Sequence, residues 1–203
     1  MISIPLALAL LAAGAAGSTA IEVPAGASIA DAIARAGPGG TVRLGPGVHR
    51  AALGRLANVH VEGAGPDATR LEVPQGEEGA TVAGAVALTG LAVAAGPIRC
   101  AVRVVDGGAL ELADVALAGG GCGLEVAGGQ ARGVRVDLRG AVALRVRGGQ
   151  AELADGAARG ADAGVAVTGG TVALRRFDVT GPAREAGVTV AGGAATLEEV
   201  TIR

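Results

Sequence analysis

From Gly84 onwards the chain repeats one pattern, G-x-Φ-x-Φ-x-x-Φ-x-Φ, in which Φ is apolar or small. Val86, Leu88, Leu91 and Val93 fill the first copy, and Leu110, Leu112, Val115 and Leu117 the second. Smaller residues take the same places in Ala131, Gly133, Val136, Leu138 and again in Ala151, Leu153, Gly156, Ala158. The last two copies are Val172, Leu174, Phe177, Val179 and Ala195, Leu197, Val200, Ile202. Each Φ-x-Φ predicts a short strand with alternate residues inward, and the break between two strands swaps the phase while the chain bends. A third strand precedes each Gly-Gly pair, at Val102/Val104, Leu124/Val126, Leu144/Val146, Val165/Val167 and Val188/Val190. The pairs begin at Gly107, Gly128, Gly148, Gly169 and Gly192, a period of about 21 residues. Three strands per coil, joined without helices and stacked on their counterparts one coil earlier, predict a single-domain, all-β, right-handed parallel β-helix with three sheets.

The chain before the repeat reads differently. Ser28-Ile29-Ala30-Asp31 is a capping box, Ile29, Ala32, Ile33 and Ala36 share one helical face, and Gly37-Pro38-Gly39-Gly40 ends the run. A short amphipathic helix there would cover the open end of the solenoid, so residues 21–50 form a cap and first strand and residues 51–203 the coils. At the other end Thr201-Ile202-Arg203 carries no closing helix. The expectation is that further coils follow in a longer protein, or that Val200 and Ile202 line a core slice capable of end-to-end self-association. Residues 1–20 are apolar and uncharged, and they end in the small-x-small run Ser18-Thr19-Ala20. They read as a signal peptide, which places the protein in the periplasm, on the cell surface or outside the cell. The alternative is a retained membrane anchor, against which stand Pro5 and the many Ala and Gly residues.

The stretch SIADAIARAGPGGTVRLGPGVHR (28–50) resembles the opening motif of the pectin lyase-like β-helix superfamily. There a capping helix, a Gly/Pro turn, a Thr-Val strand and a Pro-Gly-x-aromatic segment follow one another; His49 stands where that family usually has Tyr. VHVEGAGPDATRLEV (59–73) resembles its first-coil segment. The resemblance implies the fold, and leaves activity open, because lyases, hydrolases, esterases, epimerases, adhesins and chain-binding proteins share it. It also implies what an active member would carry: acidic clusters on one sheet, with Ca²⁺ and a basic residue in lyases, paired Asp in hydrolases, Asp with Arg in esterases.

Composition narrows that choice. Half the residues are hydrophobic, yet Phe177 is the lone aromatic and falls at an inward position, so no ring is offered as a platform for a sugar. Ser28 is the only serine after residue 20, and it is the helix cap. The net charge of −2 gives no case for nucleic acid or an anionic membrane. Outward charges fall into columns of alternating sign: Asp114, Arg135, Asp155, Arg176, Glu199 at the bend; Glu111, Arg132, Glu152; and Arg103, Glu125, Arg145. Stacked coils lie about 4.8 Å apart, so these columns predict ion-pair ladders that fix register. Metal binding or acid–base chemistry would instead group like-signed carboxylates. No residue is therefore assigned to catalysis or to a metal, and no cofactor is implied. His49 and His60 read as turn and solvated histidines, and Asp67, Glu77 and Glu78 as loop charge. Cys100 and Cys122 stack one coil apart, which in an exported chain favours a disulfide over two thiols. The expected function is a non-catalytic exported scaffold that meets polysaccharide or another envelope protein. The alternative is a polysaccharide lyase or glycoside hydrolase, degenerate or with its site on missing coils.

Overall fold

Every strand pairing is parallel in the computed structural model, which describes residues 20–182 and 187–203. The segment read as a signal peptide lies, except for Ala20, outside the described residues. The first sheet stacks Ile21–Val23, Gly40–Leu44 and Val59–Glu62, then the leading parts of Ala85–Ala94, Ala109–Ala118, Gln130–Val146, Gln150–Val167, Thr171–Thr180 and Ala194–Ile202. The stack makes about eight turns of a parallel β-helix, as the apolar spacing predicts.

Coil length is not constant. Val42 stacks on Val61 and Val61 on Leu88, so neighbouring coils take 19 and 27 residues. From Leu112 through Gly133 and Leu153 to Leu174 the coils settle at 21, 20 and 21. The inward residues of these stacked strands form one continuous core of Val, Leu, Ile and Ala, with Phe177 as its one apolar aromatic side chain among the described residues. The helix Ile29–Ala36 covers the first coil with buried Ile29 and Ala32, and the Ser28 hydroxyl accepts a hydrogen bond from the Asp31 N–H. At the opposite end Leu197 and Ile202 are 40% and 48% exposed.

Two corners explain the unusual composition. At the Gly-Gly corner the second glycine has positive φ in Gly129, Gly149, Gly170 and Gly193, and a Cβ on any of them would strike the glycine carbonyl one coil earlier. Glycine is needed there both for its backbone angle and for the close approach of stacked turns. At the bend between the first and second sheets, Gly90, Asp114, Arg135, Asp155, Arg176 and Glu199 all adopt φ between 48° and 61°. The charged column therefore occupies a left-handed backbone position that side-chain-bearing residues rarely take.

Candidate functional site: a basic corner at the disulfide

The residues that lengthen the two long coils, 74–79 and 95–99, leave the solenoid between the second and third sheets. The next coil passes beneath them as Gly119-Gly120-Gly121. The Gly120 N–H donates to Gly96 O and the Gly121 N–H to Arg99 O, each at 3.0 Å, and a Cβ on Gly120 would collide with the Pro97 backbone. Close packing of these loops thus dictates the triple glycine. Cys122 follows at once and is bonded to Cys100, its register partner on the preceding coil. The position after each cysteine, Ala101 and Gly123, packs inside the corner, as does Ala143 after Val142 on the next coil.

Outside that corner lies a cavity of about 80 Å³ walled by Glu78, Ile98, Arg99, Cys100, Arg103 and Arg145. Ile98 projects beside it, 80% exposed. Behind it sits Glu125, which alternation places outward on its strand yet which is only 1% exposed. Its Oε2 accepts a hydrogen bond from Arg103 Nε at 2.6 Å and lies 3.9 Å from the Cys100 sulfur. Its Oε1 lies 3.1 Å from Arg147 Nε, outside hydrogen-bond geometry. The expected column Arg103, Glu125, Arg145 is thereby rearranged. Glu125 is covered by Arg103 and by Arg147, two positions beyond its register partner, and Arg145 has no carboxylate within 4.0 Å among the described residues. Arg99 pairs with Glu78 at 3.1 Å while its Nε is buried without a partner. Four guanidinium groups meet two carboxylates at this corner.

The sulfurs of Cys100 and Cys122 and the Glu125 carboxylate lie within 4.8 Å of one another, a spacing that suits a metal ion. Both sulfurs are consumed by the disulfide, and the surrounding guanidinium charge opposes a cation. A larger hollow of about 480 Å³ opens near the helical cap, walled in part by Val48, His49, Arg50 and Glu72. Its rim charges, Arg50 and Glu72, lie 3.6 Å apart and neutralise each other, so it lacks the charge excess of the disulfide corner.

The bend column resolves into discrete forks rather than a run in which each charge is shared by both neighbours. Arg135 donates from Nε and Nη2 to the two oxygens of Asp114, and Arg176 does the same to Asp155 at 2.6 and 2.7 Å. Each arginine reaches back one coil and uses its planar fork on a single carboxylate, which leaves Glu199 without a salt bridge among the described residues. In the second column Arg132 reaches Glu152 at 3.2 Å and not Glu111. The forks hold the Asp114 and Asp155 carboxyls below the ordinary aspartate value, chiefly through the hydrogen bonds from Arg135 and Arg176. A lowered folded-state value stabilises the fold above the pH at which unfolded Asp titrates, about 4. That contribution is lost as the pH falls through the lowered values. Urea midpoints measured from pH 5 to pH 2 should therefore drop more steeply in the native sequence than in Asp114→Asn plus Asp155→Asn.

The two histidines divide. His60 is outward and hydrogen-bonded through Nε2 to Thr89 Oγ1 at 3.0 Å. His49 is not a turn residue: it is 1% exposed and stacks on Leu71 in an inward column. Its Nε2–H donates to Gly45 O at 2.9 Å, while Nδ1 is buried without a partner. Asp137 is the carboxylate most enclosed by arginine on the second sheet, accepting from Arg139 Nη2 at 2.7 Å and Arg159 Nη1 at 2.5 Å. The alternating columns singled out in the sequence missed Asp137, because its stack neighbours are alanines, Ala116 and Ala157, with the next acid, Asp178, two coils on.

No family model and no curated protein matches the chain. Among solved structures it is similar to pectin methylesterase PemA from Erwinia chrysanthemi, with a TM-score of 0.58 and 13% identity. The likeness covers 82% of this chain and 81% of that one. The protein therefore has a pectin lyase-like parallel β-helix fold. At this identity the likeness carries the fold and no activity.

Proposed function

We propose that the protein is a non-catalytic, exported β-helix scaffold. The observation that carries this reading is the way its outward carboxylates are used. Asp114, Asp155, Asp137, Glu62, Glu125 and Glu152 each engage an arginine on a neighbouring coil, instead of converging on a shared point. Carboxylates tied up singly by guanidinium groups are poorly placed to hold a cation or to divide acid and base roles between them. The Cys100–Cys122 bond suits a chain that matures in an oxidising compartment, which supports export.

The rival reading is an enzyme acting on a polysaccharide, and Asp137 between Arg139 and Arg159 is the constellation among the described residues that favours it. Both Asp137 oxygens are already occupied by arginine, which weighs against a free nucleophile. The purified protein, incubated with polygalacturonate, alginate and methyl-esterified pectin with and without Ca²⁺, should release no reducing ends, unsaturated ends or methanol. Turnover that disappears in Asp114→Ala, Asp155→Ala or Asp137→Asn would overturn the scaffold reading.

A further inference from the structure

We infer that the cavity beside the disulfide is a binding site for one small oxyanion, a carboxylate, sulfate or phosphate group. Three features of the corner lead there. The first is charge: Arg99, Arg103 and Arg145 wall the cavity and Arg147 stands behind it, against Glu78 and Glu125. At the bend the forks match one arginine to one aspartate; here two positive charges remain after pairing. The second is unused donor capacity. Arg145 contributes a wall of the cavity and reaches no carboxylate within 4.0 Å among the described residues. A guanidinium offers five N–H donors in a planar fork that matches an oxyanion. The third is size, since about 80 Å³ admits one tetrahedral or planar anion and not a sugar ring or a nucleotide.

The surroundings hold the donors in place. Glu78 anchors Arg99 at 3.1 Å and lies 3.9 Å from Arg103, which also bonds buried Glu125 at 2.6 Å. The Cys100–Cys122 bond fixes the strand that bears Arg103 to the next one. A bound anion would meet an arrangement already in place, which lowers the ordering cost of binding. This inference is independent of catalysis: anion binding can fail while the absence of turnover stands, and the reverse.

The test follows thermal unfolding of the oxidised protein in sodium acetate, sulfate or phosphate, against sodium chloride of equal ionic strength. Sulfate and phosphate also stabilise proteins by exclusion from their surfaces. Each series is therefore repeated in Arg145→Gln, which empties one wall, and in Arg135→Gln, which removes a guanidinium from the distant bend. In the native sequence at least one oxyanion should raise the midpoint by about 3–6 °C at a tenfold excess over Kd. Arg145→Gln should abolish that shift and Arg135→Gln should keep it. A carboxylated or sulfated oligosaccharide run beside the free ions separates the two sources of the same group. A larger shift with the oligosaccharide assigns the anion to a polymer, a larger shift with the free ion assigns it to a solute, and either upholds the site. No shift beyond chloride, or an equal shift in Arg145→Gln, overturns it.

Discussion

Phe177→Ala should lower the unfolding free energy by about 3–5 kcal/mol. The ring is 2% exposed and occupies the same inward column as Val136, Gly156 and Val200. A Cβ on Gly156 would come within 2.7 Å of Phe177 Cε2, so the ring fills the space that glycine leaves on the coil before it. Truncating Phe177 thus opens a cavity that its glycine neighbour cannot refill. In a solenoid each coil is held only by the coils on either side, so both contacts of this one weaken together. Phe177→Leu, which keeps most of the volume, should cost less than about 1.5 kcal/mol. Gly156→Ala should also destabilise, because the Val136 carbonyl occupies the place its Cβ would need. Urea denaturation followed by circular dichroism measures all three. A loss below 1 kcal/mol for Phe177→Ala would show that the coils close over the gap, contrary to the rigid stacking described.

Much of this architecture is legible from residue order, for identifiable reasons. The inward columns announce themselves because period-two alternation and the Gly-Gly corners recur together in every coil after Gly84. The cap is readable from Ser28 and Asp31, and the disulfide from two cysteines one coil apart. What stays hidden depends on knowledge of how coils of unequal length stack. His49 reads as a turn residue because no repeat is visible before Gly84; only the pairing of Gly47–Arg50 with Thr69–Glu72 aligns it with Leu71. Glu125 reads as outward by parity, and its burial needs Arg147, two residues past its register partner, as well as Arg103. The left-handed bend is hidden for another reason. Glycine and asparagine usually advertise such a position, and Gly90 alone does so here, ahead of Asp114, Arg135, Asp155, Arg176 and Glu199. The anion cavity is invisible in the sequence because Arg99 belongs to a loop outside the repeat, so the four arginines fall into no single column.

Opening the Cys100–Cys122 bond should cost about 3 kcal/mol, the loop-closure entropy that a cross-link spanning 22 residues removes from the unfolded chain. The native contacts oppose a larger effect: the two residues are register partners on adjacent strands, and backbone pairing on either side of them persists without the covalent link. The change should therefore act mainly on the unfolded state, with one local exception. Residues 95–99 are tied to the solenoid by the Gly120 and Gly121 hydrogen bonds and by Cys100 just after them. Loss of the bond should speed amide exchange in this loop and at Gly120 and Gly121, while Val146 and Val167 stay protected. Two preparations separate the contributions. Reduced native protein and the Cys100→Ala plus Cys122→Ala variant should show the same fall in urea midpoint if chain entropy dominates. A larger fall in the alanine variant would measure the packing of Cys122, which is fully buried. Thiol titration of the oxidised protein under denaturing, non-reducing conditions should find no free thiol. Two reactive thiols there, or equal stability of the oxidised and reduced forms, would remove the disulfide from the account of what holds this corner.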